Sequence, residues 1–155
     1  MSRTFIYGLL GLAGAALAFF LYPYLLVSEK STQCCGTTDT LFRIRDQEEQ
    51  YRKAEGHYAC DFKRLAEHPV TDRKDLLQRL ANTGLKEGYR FGVLPGLNTS
   101  ESCAYFAVPE TYAVTGRRIY VMNQSSIWYR DTGNATPPAA WPSPDPVAAG
   151  WTLLE

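Results

Sequence analysis

From Thr4 to Val27 the chain runs 24 residues without a charged side chain, TFIYGLLGLAGAALAFFLYPYLLV. A helix rises about 1.5 Å per residue, so this run would reach roughly 36 Å, against about 30 Å for the hydrocarbon core of a bilayer. A soluble core helix of that length would leave little of the chain to cover it. A cleaved signal peptide has a shorter apolar region and ends on small residues, whereas this run closes on the bulky LYPYLLVSEK. Residues 1–27 are therefore predicted to be a transmembrane anchor. Tyr7, Tyr22 and Tyr24 lie near its ends, where amphipathic rings favour the headgroup layer. Pro23 kinks the outer end of the span or begins its exit.

Gly11 with Ala15, and Gly14 with Ala18, are small-xxx-small pairs. They read either as a face for close helix packing or as the ordinary abundance of Gly and Ala in membrane spans. Arg3 precedes the span and Lys30, Arg43 and Arg45 follow it, so charge does not fix the orientation. Sixteen basic residues balance sixteen acidic ones, which leaves no basic excess for a nucleic-acid backbone.

The cysteines are Cys34, Cys35, Cys60 and Cys103. An even number in a small anchored unit fits an oxidising compartment. Four cysteines allow three pairings, among which sequence does not choose; Cys60 with Cys103 is the favoured one, because each sits at the edge of a structural element. Closing that loop would stabilise the fold by about 4 kcal/mol on the chain-entropy model. Cys34 and Cys35 then form a vicinal bridge, pair between chains, or stay free. His57 and Cys60 stand three apart but lack a second ligand pair, so no metal site is predicted there.

Residues 28–40 are small and polar and read as a linker, with Gly36 as a break. A helix is expected from Thr38 or Asp39. Leu41, Ile44, Tyr51, Ala54 and Tyr58 form its apolar stripe. Arg45, Glu48, Glu49, Arg52 and Lys53 form its solvated face, with Glu48–Arg52 and Glu49–Lys53 as i,i+4 pairs. Gly56 ends this helix. Asp61 caps a short helical turn closed by Pro69. A further helix is expected from Thr71, with Leu76, Leu77 and Leu80 as its apolar face and Gly84 as its stop.

After Gly88 the pattern turns to strands: 89–93, 103–108, 118–122 and 126–130. They predict an antiparallel sheet of three or four strands with one face on the first helix. Residues 41–133 thus form an α+β domain, and residues 134–155 a Pro-rich tail. Five of the nine prolines fall between Pro137 and Pro146, which excludes a helix or central strand there. The tail either docks through Trp141 and Trp151 or stays mobile as a partner-binding segment.

No Gly-x-Ser-x-Gly, phosphate-binding glycine loop or His-Glu-x-x-His occurs. Adjacent Glu48 and Glu49 point in different directions on a helix and make no acid/base pair. No catalytic residue, enzymatic activity or cofactor is predicted.

Several stretches carry a family likeness: QEEQYRKAEGHYACDFKRLAE (Gln47–Glu67), GYRF (Gly88–Phe91), and Tyr105–Gly133 with its Ala-x-Pro strand end, Thr-Gly-x-Arg turn and aromatic hairpin. Over roughly residues 41–140 the chain resembles the type IV pilin and type II secretion pseudopilin superfamily. That resemblance implies a helix packed on a small antiparallel sheet in a non-enzymatic envelope protein. The anchor would sit in a bacterial cytoplasmic membrane, and the C-terminal domain in the periplasm or outside. Membrane lipid, protein partners or further copies of the chain would be its contacts. Some pseudopilins bind calcium near the position of Asp131, Thr132 and Asn134, where a plain polar turn is the competing reading. The family's processing signal is missing, and the apolar run holds no acidic residue. The alternative is therefore a single-pass tethered binding module outside any filament, with the aromatic sheet face or the proline tail as its contact surface.

Overall fold

A computed structural model describes residues 35–97, 99–142 and 145–154. The expected anchor 1–27, with Gly11, Gly14, Ala15 and Ala18, lies outside the described residues, as does Cys34. Among the described residues, no helix is long and apolar enough to cross a membrane.

The first helix, α1 (Cys35–Glu55), starts inside the segment expected to be a linker. Thr38 and Asp39 are helical residues, not caps, and Gly36 does not break the chain. A Cβ on Gly36 would come within 1.5 Å of Glu87 Oε2, so the glycine makes room for the Glu87 side chain. Lys86 Nζ donates to Thr40 Oγ1 at 2.8 Å beside it. The buried stripe of α1 is Thr37, Thr40, Leu41, Ile44, Gln47, Glu48 and Tyr51. Ala54 is exposed, and Tyr58 is buried beyond the helix end rather than on its stripe.

Gly56, at φ +80°, turns the chain as its N–H meets Arg52 O at 2.8 Å. α2 (Phe62–Glu67) begins at Asp61, whose carboxylate accepts from Arg64 N at 2.9 Å. α3 (Lys74–Thr83) stops at Gly84, left-handed at φ 66°. α2 and α3 pack on each other, and their inward leucines, Leu65, Leu77 and Leu80, are buried.

The sheet has six strands in sequential order, every pair antiparallel. They are β1 (Leu85–Lys86), β2 (Tyr89–Val93), β3 (Tyr105–Pro109), β4 (Arg118–Met122), β5 (Ile127–Asp131) and β6 (Thr152–Leu153). The expectation of three or four strands missed the two-residue edges. Phe91, Ala107, Tyr120 and Tyr129 stand side by side across β2–β5 on the helix face. Phe106, Val121 and Trp128, one residue along, share the opposite face. Gly92 lies opposite Phe106, whose ring occupies the place of a Cβ: an added methyl would meet Phe106 Cζ at 2.5 Å.

Both faces of the sheet are covered. Helices bury one. On the other, Leu94, Ala104, Val108, Ile119 and Val121 form a second core with Trp151, and Trp141 packs against it. The C-terminal tail is therefore docked. Arg130 holds it by donating to Ala149 O at 2.6 Å and lying 5.8 Å from the Trp151 ring. Leu154 N donates to Ile127 O at 2.8 Å and completes the edge. The aromatic sheet face expected as a contact surface lies under this tail.

Candidate functional site

Leu41, Ile44, Glu48 and Tyr51 recur at helical spacing, three or four apart. That spacing turns Glu48 inward with the apolar residues, and it is 3% exposed. The expected pair with Arg52 is not made. Arg52 bonds instead to Glu49, at 2.8 and 3.0 Å, on the solvent side of α1. Lys53 stands 3.9 Å from the same carboxylate.

Burying a carboxylate is costly unless donors replace the lost water. Here three do. Ala59 N donates to Glu48 Oε2 at 2.8 Å and Cys60 N to Oε1 at 2.8 Å. The Tyr105 hydroxyl donates to Oε1 as well. One side chain of α1 thereby holds both the loop after the helix and β3. Burial raises the Glu48 pKa above its ordinary value, opposed by the Tyr105 hydroxyl and the Ala59 and Cys60 amides. Burial, and then the Glu48 charge, drive the Tyr105 phenol well above its ordinary value.

The expected disulfide joins Cys60 to Cys103, with Cα atoms 5.5 Å apart and 43 residues between them in sequence. Cys60 adopts φ 52°, a left-handed conformation unusual for a residue with a Cβ. The contacts that hold it there are the disulfide and the bond from its own N–H to Glu48. Ligating atoms of Glu48, Cys60 and Cys103 lie within 4.8 Å of one another. Cys103, Glu48, Tyr58, Tyr105 and Met122 line a cleft of about 140 Å³, with Asp46 also on its wall. Its base is aromatic and sulfur-rich, and its rim is charged.

The remaining expected residues fall elsewhere. Cys35 opens α1. Asp131 accepts from Gly133 N at 2.9 Å and Tyr112 Oη at 2.8 Å, and stands 3.3 Å from Arg117 Nε. Burial, which would raise its pKa, is outweighed by those donors, and its carboxyl is held below the ordinary range. Asn134 Oδ1 accepts from Thr136 N at 2.8 Å, and Thr132 and Asn134 bond to each other's backbone oxygens. The polar groups proposed for calcium therefore tie a turn. His57 contacts Glu55 O, and His68 meets Glu55 Oε1 at 3.0 Å beside the Tyr51 ring.

Glu48 and Tyr105 are the residues that sequence reading missed. The stripe spacing carries the signal for Glu48, which the sequence reading places on the solvated face instead. Nothing local marks Tyr105 as its partner. No family model matches the chain, and neither a curated protein nor a solved structure matches it.

Proposed function

We propose that this chain is a non-enzymatic envelope protein of pilin-like type. The apolar run 4–27 tethers it in a bacterial cytoplasmic membrane, and the folded unit outside serves assembly through protein–protein contact. One observation carries the reading: a helix entered soon after the apolar run lays its buried stripe into an antiparallel meander of strands and is cross-tied to it at Glu48. The deepest carboxylate of the cleft is already engaged by three donors, which favours a structural role over general acid/base work.

The lack of an acidic residue in the apolar run favours a second reading, a tethered module outside any filament. With the sheet face covered and the tail docked, the contact surface in that case is the rim of the cleft and the outer side of α1.

Membrane fractionation and intact-mass measurement of the purified chain test the tether. The expected result is a membrane-bound protein with its N-terminal run intact; recovery in a detergent-free supernatant would refute it. Cysteines placed at Gly11 or Ala15, in a background lacking Cys34 and Cys35, separate the two readings. Ordered crosslinked ladders support assembly, and monomers alone support the isolated module.

A further inference from the structure

Glu48, Cys60 and Cys103 come from three separate segments, yet their ligating atoms lie within 4.8 Å of one another. We propose that reduction of the Cys60–Cys103 disulfide turns this cluster into a binding site for a thiophilic divalent cation of the zinc type. A dithiol reductant supplies the two electrons: the disulfide becomes two thiols as the reductant becomes a disulfide. Each thiol then gives its proton to solvent as a metal–sulfur bond forms.

The donor set selects the ion. Two thiolates and a carboxylate suit zinc and its analogues, whereas calcium and magnesium want oxygen alone. Zinc holds sulfur at about 2.3 Å and oxygen at about 2.0–2.2 Å, so donors on one tetrahedral ion stand roughly 3.5–3.8 Å apart. The opened sulfurs have to part, and the widest pair of donors has to close by about 1 Å. Cα atoms 5.5 Å apart leave room for both. Cys60 is half-buried, on the loop between α1 and α2, and is the residue best placed to move.

Among the described residues, Glu48 Oε1 accepts from Cys60 N and the Tyr105 hydroxyl, and Oε2 accepts from Ala59 N. A carboxylate oxygen has two acceptor positions, which leaves one on Oε2 for a cation. Glu48 and Cys103 also line the cleft, which provides space for water as a fourth ligand. The ion would restore the tie between the Cys60 loop and the segment leading into β3 that reduction breaks.

The test uses the full chain in detergent, carrying Cys34→Ser and Cys35→Ser so that the neighbouring thiol pair cannot compete. Co²⁺ is titrated into oxidised and reduced protein. The expected result is one ion per reduced chain, with tetrahedral thiolate absorption, and none on the oxidised chain. Cys103→Ser abolishes binding, and Glu48→Gln weakens it about tenfold or more. No binding to the reduced chain, or binding unchanged by Cys103→Ser, overturns the proposal. So does a folded Glu48→Gln protein with full affinity. Should Glu48→Gln not fold, the melting temperature of the reduced parent decides. A site in the native fold raises it on adding Co²⁺, and a melting temperature left unmoved overturns the proposal.

Discussion

Tyr105 donates its hydroxyl to the carboxylate of Glu48, 57 residues away in sequence, inside the protein. The bond fastens the middle of α1 to the first residue of β3. Two backbone amides on the loop after α1 share the same carboxylate. Removing the acid therefore strands three donors, two of them buried and one part-buried, while removing the hydroxyl strands none.

Glu48→Ala is expected to cost about 3 kcal/mol or more, and Tyr105→Phe about 1–2 kcal/mol. Urea unfolding of each variant measures both. A Glu48→Ala protein within about 0.5 kcal/mol of the parent would mean that water serves the stranded donors.

The pH response of Glu48 has a definite sign. Its pKa in the folded protein lies above the ordinary 4.5 because burial disfavours the charge. Its contribution is then largest below the unfolded value and declines as pH rises through the folded one. The stability of the parent relative to Glu48→Gln should fall as pH climbs from 4 into that window. Unfolding midpoints of the two proteins at successive pH values give the slope. A parent that gains on the variant would show that the three donors outweigh burial.

The disulfide closes a loop of about 43 residues, and the chain-entropy model assigns it about 4 kcal/mol. Cys60→Ser should lower the melting temperature under oxidising conditions and bring the variant close to the reduced parent. Calorimetry with and without reductant makes the comparison. Equal melting of oxidised parent and variant would remove the stabilising role.

Trp151 is the tail residue buried in the outer core. Trp151→Ala is expected to cost about 3 kcal/mol and free the tail from the sheet. Arg130→Ala, which loses the bond to Ala149 O and the contact with the ring, should cost about 1 kcal/mol. Limited proteolysis within residues 134–150 reports release. A tail equally resistant in parent and Trp151→Ala would place its anchorage elsewhere.

Much of this architecture is legible in the sequence alone. Asp61 as a cap, Gly84 as a stop and the strands 89–93 and 118–122 depend on neighbours a few residues away, and each is found where expected. The Cys60–Cys103 pair was also expected, because both residues flank elements. The start of α1 was misplaced because Gly36 signals a break locally. Its actual role is to admit Glu87, a residue 51 positions further along the chain.

What the amino-acid order determined by itself was the set of local preferences: helix, cap, turn, strand, and the apolar run at the start. What only the tertiary structure decided was which polar groups went inside and what met them there. Spacing put Glu48 on the inner stripe, but a buried carboxylate survives only if donors from elsewhere reach it, and those come from residues 59, 60 and 105. The same holds for the tail. Its prolines forbid a helix locally, while its docking rests on an apolar sheet face that exists only once β3, β4 and β5 have assembled. Local preferences act over a few residues; desolvation is set by the whole fold.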